Sequence, residues 1–399
     1  MAPSEPSPPP HHRGAGRVLV LIAPVAIGVL PPFLTGALAV LIRAELGLGP
    51  AALGAVVTWF FLSTASVSGL MGRLIEQRGV RAGLMVGAAA SAAGLLVASL
   101  AGSIPMLLVA MTLSGVGNAL IQPSVNAELA RSIRTSRQGL AFGVKQAAIP
   151  TATLLAGLAV PSVAALVGWR GTYRVAAVLA VVVLLAASQV VTGSVRVRRA
   201  QARAALGDRG ALRVAALAGA LGAMSATSLG VFLLDTAVEG GIGPGRAGLL
   251  VALVSAVGLL TRIGLGWQAD AFPARSRYGT IAGMLAAAVP GYLLLAGGAG
   301  WVLLLGALLA YAAGWSWPGL FHLAVVRQSP EAPAAATGVV QIGVSLGAGA
   351  GPLLLGVLAE HGGYPLAWRS AAVLSAAAAT GMVLTRARLR RTGVAAAGT

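Results

Sequence analysis

The stretch "GLAFGVKQAAIP" (139–150) holds the single lysine of a chain whose other 27 cationic side chains are all arginine. Lys145 stands in an apolar run, with no acid nearer in sequence than Glu128. A buried ammonium is a compact point charge that can meet a carboxylate-sized anion or give up its proton during a cycle. A lysine stem can also snorkel to a membrane interface and do nothing further. Arginine snorkels as well, so the choice of lysine favours binding or proton chemistry at Lys145. Polar neighbours are few. Gln146 follows at about 100° around the helix. Asn118, Gln122 and Asn126 recur every fourth residue and make one polar stripe, which must face protein or water, not lipid. His322, in another apolar run, is a second candidate for moving protons, with a hydrogen-bonded structural histidine as the alternative. Trp315, Trp317 and Phe321 offer an aromatic wall, with Trp59 and Phe33 as further candidates and helix packing as the alternative for all of them. No group of His, Asp, Glu or Ser converges at one depth as an enzyme needs, and no metal-spaced cluster or phosphate-binding loop occurs.

The elements that must hold these groups are membrane helices. The chain is 57% hydrophobic and only 10% charged, where a soluble domain is nearer a quarter charged. A spanning helix needs about 20 mostly apolar residues. Twelve are predicted, at 17–42, 50–72, 80–100, 104–130, 139–166, 171–192, 213–237, 244–266, 277–297, 300–326, 333–358 and 364–385. The adjacent prolines 31 and 32 predict a kink in the first. Loop arginines alternate: 21 fall on one side of the membrane and 5 on the other, with Arg262 at a helix end. The arginine-rich side is expected to be cytoplasmic, with both termini there. Topology therefore accounts for the net charge of +18 without nucleic acid as partner. Residues 1–16 read as a disordered tail, 193–212 as a basic linker and 386–399 as a second tail.

The two halves repeat each other. "GPAALG" (49–54) parallels "GPGRAG" (243–248), and Glu76 falls opposite Asp270 at an offset of 194. Pro123 parallels Pro318, and "GVKQ" (143–146) parallels "GVVQ" (338–341), at 195. Gln146 and Gln341 are thereby equivalent and could face one another across a pseudo-two-fold axis. The positions equivalent to Gln122 and Asn126 are Trp317 and Phe321. Trp169–Arg170 recurs as Trp368–Arg369. Two bundles are expected, 17–192 and 213–385.

Parallel six-helix halves around a midplane site suggest a transporter architecture. "GRLIEQRGVR" (72–81) resembles the cytoplasmic loop signature of the major facilitator superfamily, and Gly266 to Asp270 resembles a degraded second copy. The resemblance implies an all-α fold of twelve transmembrane helices in two pseudo-symmetric bundles. It implies a gate at Gly72, Glu76, Arg78, Gly79, Arg81 and Asp270 that latches the halves together, with an ordinary charged turn as the alternative. The resulting expectation is a monomeric, cofactor-free secondary transporter in the cell (inner) membrane. It would move a small organic solute, an anion by Lys145, with protons coupled through Lys145 or His322. The candidate binding residues are Lys145, Gln146, Asn118, Gln122, Gln341, Trp315, Trp317, Phe321 and Trp59. A proton-antiporting drug or metabolite exporter of the same fold is the alternative. "GAGAGP" (347–352) resembles a segment that exporters carry in span five, but here it stands in span eleven, which tilts the reading toward uptake.

Overall fold

A computed structural model of the chain describes residues 15–132, 138–190, 208–272, 277–298, 300–329 and 333–391. Among these, all regular structure is helical, the form in which apolar segments satisfy their own backbone in lipid. The order is α1 (Ala15–Ala37), α2 (Ala39–Leu46), α3 (Pro50–Arg78), α4 (Val80–Ser99), α5 (Ile104–Ser132) and α6 (Gln138–Ala159), a π turn (Val160–Ala164), then α7 (Ala165–Val190). The second half runs through α8 (Arg209–Glu239), α9 (Pro244–Ala271), α10 (Arg277–Gly297) and α11 (Gly300–Leu309), a π turn (Ala310–Gly314), α12 (Pro318–Gln328) and α13 (Pro333–Arg391). Among the described residues nine stretches are long and apolar enough to span a bilayer, and the bent pair α1–α2 makes ten. The stretches Gly139–Gln189 and Ala336–Arg391 each hold two spans separated by a glycine, which brings the count to the twelve expected.

Those two glycines fix the register of the repeat. Gly168 (φ 68°) and Gly363 (φ 72°) break the helix at positions 195 apart, in a backbone region that other residues rarely enter. An aromatic pair four residues apart follows each break, Trp169 and Tyr173 in the first half, Tyr364 and Trp368 in the second. Trp169 donates to Glu45 and Trp368 to Thr236, while Tyr173 bonds Thr35 and Tyr364 donates to Asp235. Trp169 thus corresponds to Tyr364. The Trp-Arg pairing read from the sequence is one helical turn out of register.

Other differences concern boundaries. The first span bends by 62° at Leu38, not at the two prolines. Both prolines stay inside α1, where the Thr35 hydroxyl donates to the Pro31 carbonyl at 2.8 Å. The basic linker ends sooner than expected, because Asp208 caps α8 by accepting from the amides of Gly210 and Ala211. The last helix runs to Arg391, past the expected end at 385. Most of the linker and of both tails lie outside the described residues.

The buried core has three parts. One cluster runs continuously through both halves and includes Phe33, Phe60 and Trp169 with Phe232, Trp315 and Trp368. It occupies the face opposite the arginine-rich loops, called here the far face. Toward the arginine-rich face the core divides. Ile22, Leu84, Ile121 and Ala148 belong to a cluster built from the first half alone. Leu212, Tyr278, Trp317 and Phe321 belong to one built from buried residues of the second half alone. The buried apolar core is thus shared by both bundles at the far face and divided between them at the other.

Candidate transport site

The site lies where α6 of the first bundle meets α9 of the second. The two helices touch through backbone. A Cβ on Gly139 would stand 2.7 Å from the Gly266 carbonyl oxygen, one on Gly143 2.8 Å from that of Arg262, and one on Gly157 2.7 Å from that of Gly248. Small residues on both sides permit this approach. Lys145 stands two residues beyond Gly143, about 200° around α6, and is only 7% exposed. Among the described residues its ammonium has no hydrogen bond and no ion pair. The charges it acts on are those of Arg262 and His322. The stem does not carry the amine out to an interface.

Arg262 is the residue that sequence reasoning missed. Counted as a helix-end arginine, it is in fact 3% exposed. Its Nη1 donates to the Gln146 carbonyl at 2.5 Å, and its Nε, at 3.2 Å, and Nη2 donate to the Trp315 carbonyl. It ties α9 to the first bundle and to the break in span ten. That break was not expected either. Where one helix was predicted over 300–326, the chain widens into the π turn at 310–314, passes through a turn at 315–317 and restarts at Pro318. Interrupted helices of this kind occur at functional sites. The break turns the Trp315 carbonyl to Arg262 and sets the indole against Tyr311 (centroids 5.4 Å, stacked) and Phe33 of the first bundle (5.5 Å, edge-on). The Arg262 guanidinium carbon lies 5.9 Å from the Trp315 ring centre. Two buried cations thus share one place, and among the described residues no carboxylate bonds either.

Beside them runs a polar chain across the boundary. The Nε2 of Gln146 lies 3.3 Å from the Nδ1 of His322 on α12, and the Nε2 of His322 lies 2.8 Å from the Oε1 of Gln341 on α13. The same His322 Nδ1 lies 2.7 Å from the Pro318 carbonyl, and Gln341 donates to Ser345 at 3.0 Å. The two glutamines made equivalent by the repeat do face each other, with a histidine between them. Gln341 is exposed although it belongs to this chain, which gives the cluster a route to solvent.

The remaining candidates divide. The α5 stripe opens progressively: Asn118 is buried, Gln122 half-buried and Asn126 exposed toward the arginine-rich face. Asn118 packs toward Gly28 of α1, and its Oδ1 has no partner. Trp317 and Phe321 do not form the expected cavity wall. Both are 0% exposed in the core of the second bundle, against Gly222 and Gly219 of α8. Their equivalence to Gln122 and Asn126 by the repeat does not carry a helical face across the break at 310–317. Trp59 does not join the cluster: it is 44% exposed, and its indole N–H donates to Thr112 at 2.8 Å. It is the neighbouring Thr58, about 100° around the helix, that reaches the other bundle, donating to the Gly349 carbonyl.

Of the residues expected to form a gate, Asp270 accepts from the Gly139 and Leu140 amides at 2.9 and 2.8 Å, so the end of α9 caps the start of α6. Arg327 stands 3.7 Å from the same carboxylate. Gly79 has φ 87° and joins α3 to α4, while Arg78 and Arg81 are exposed. The surroundings of Gly72 and the side chain of Glu76 lie outside what is described. At the far face Arg43 pairs with Asp235 across the bundles, Tyr364 donates to the same carboxylate, and Glu360 accepts from the Ala51 amide at the start of α3 (2.9 Å).

This arrangement can be set against known proteins. No curated protein matches the sequence. Among solved structures, the crystal structure of the human organic anion transporter MFSD10 (TETRAN) superimposes with a TM-score of 0.71, covering 94% of this chain and 100% of that one at 18% identity. The family model described as Major Facilitator Superfamily matches twice, over residues 19–216 and 215–397, once for each bundle. The chain belongs to the major facilitator superfamily, a family of membrane transporters and not of enzymes.

Proposed function

We propose that this secondary transporter carries a small organic anion, coupled to protons, by alternating access in the cell (inner) membrane, with both termini cytoplasmic. The observation that carries the anion is Lys145: a buried ammonium, beside a buried guanidinium, without an acid bonded to either among the described residues. An uncompensated buried charge costs several kcal/mol. Intramembrane charges of this kind face cavities and cargo. A transported anion supplies the missing charge while it is bound. The likeness to the human organic anion transporter carries the fold alone, and the charge argument is this chain's own.

In this reading Lys145 meets the carboxylate, and Gln146, Gln341, Gln122 and Asn118 supply hydrogen bonds. The Trp315 indole closes the far side of the site. His322 takes the proton. The divided core favours a conformer open to the cytoplasm. The Arg43–Asp235 lock holds the far face shut. The Asp270 cap and the loop residues Gly72, Glu76, Arg78, Gly79 and Arg81 form the cytoplasmic gate.

Thermal unfolding of the purified protein with small carboxylates and with lipophilic cations tests the cargo. Carboxylates at 100 times their Kd should stabilise by about 2.7 kcal/mol, and Lys145→Gln should abolish the effect. Stabilisation by lipophilic cations alone would hand the site to a drug exporter.

A further inference from the structure

We propose that Gln146 reads the protonation state of His322 across the bundle boundary, so that loss of one proton ties α6 to α12 and gain of one releases them. The inference deepens the transport reading, but its geometry stands without any cargo.

Bonding chemistry at one ring nitrogen carries it. The Nδ1 of His322 faces two partners of opposite kind, the Pro318 carbonyl at 2.7 Å and the Gln146 amide nitrogen at 3.3 Å. A carbonyl can only accept and an amide N–H can only donate. With a proton on Nδ1 the ring donates to Pro318, within its own helix, and the Gln146 N–H meets another N–H. Without that proton the Nδ1 lone pair accepts from Gln146, and the bond crosses between bundles. The other ring nitrogen does not change. Gln341 spends its own N–H on Ser345 at 3.0 Å, so its Oε1 faces His322 Nε2 and accepts from it in both states. The charged ring is satisfied wholly by the second bundle. The neutral ring, as the Nε2–H tautomer, reaches into the first. The proton leaves to water on the exposed side of Gln341.

The charged groups around the ring connect this switch to cargo. From α6 comes Lys145 and from α9 Arg262, both acting on His322. Among the described residues α13 brings the neutral Gln341 and Ser345. From α10 comes Tyr278, which packs on Phe321 and donates to Gln328. A third positive charge among two others is repelled. An anion beside Lys145 offsets the repulsion, so anion and proton load together. Their loading also frees the α6–α12 contact. Gln146 is a positioning residue in this scheme, because it acts through His322.

Nitrogen NMR of ¹⁵N-histidine-labelled protein in liposomes reads the tautomer directly, with the His322 signal assigned by its loss in His322→Gln. At high pH the neutral ring should carry its proton on Nε2, with Nδ1 bare. At low pH both nitrogens should be protonated. In Gln146→Leu the bare Nδ1 loses its donor and faces only the Pro318 carbonyl, so the ring should keep its second proton to higher pH than in the wild type. A role limited to packing would not move this titration. A neutral wild-type ring with the proton on Nδ1, or a titration unchanged in Gln146→Leu, would overturn the proposal. His322→Asn, measured for carboxylate stabilisation, keeps the two readings apart: retained binding leaves the anion site standing whatever the wild-type ring shows.

Discussion

The two faces of the molecule are built differently. At the far face one apolar core passes through both bundles, and Arg43–Asp235 and Glu360–Ala51 bind them across it. At the arginine-rich face the core splits by bundle. The two seams between bundles differ in the same sense. The α6–α9 seam is closed from Gly157 to Gly139 by backbone contact and ends in the Asp270 cap. Its pseudo-symmetric counterpart, α3–α13, is tight at Gly54, where a Cβ would stand 2.2 Å from the Pro352 carbonyl oxygen. Nothing lies within 4 Å of where a Cβ on Gly338 would sit. Gln341 and Ile342 on α13 and Ser66 and Ser68 on α3 are exposed. Equivalent helices thus take unequal positions, with the α3–α13 seam open near Gly338.

Substitutions that load the two seams should show the contrast most strongly. Gly143→Leu puts a side chain where backbone stands and should cost at least about 1–3 kcal/mol, read as a lower unfolding temperature with lost transport. Gly338→Leu, in open space, should stay within about 0.5 kcal/mol of wild type. Breaking the far-face lock comes next. Asp235→Asn removes the charge shared by Arg43 and Tyr364, so spin labels at Leu46→Cys and Ile242→Cys should move apart. The chain has no native cysteine to interfere. Asp270→Ala should remove a helix cap and cost about 1 kcal/mol, with a wider α6–α9 separation at the arginine-rich face by the same method. A small effect is also expected of Trp59→Phe. It gives up one hydrogen bond to Thr112, about 1 kcal/mol or less, and should leave transport unchanged.

Much of this was legible before any coordinates. Twelve spans follow from hydropathy, because lipid permits only long apolar helices here. Lys145, Gln146, His322 and Gln341 stand out because polar types are rare in such spans, and the repeat pairs the two glutamines. What the sequence hides is helical phase across breaks. The repeat sets Trp317 and Phe321 opposite Gln122 and Asn126, an equivalence that gives a shared face only where both helices are continuous, and span ten unwinds at 310–317. Trp59 was placed without its phase relative to Thr58. The bend at Leu38 could not be read from prolines that α1 accommodates. Arg262 was lost in a charge count. Its signal was present in "LLTRIGLG" (259–266), an arginine with no other charge within seven residues on either side.

The central claim is that the Lys145 ammonium is the counter-charge of the cargo. Uptake into proteoliposomes of the carboxylate that most stabilises the wild type tests it directly, with Lys145→Gln and Lys145→Arg reconstituted to equal density. The account predicts at least a tenfold loss in both, since one lacks the charge and the other spreads it over a fork that does not fit. Uptake at the wild-type rate in both variants would contradict it.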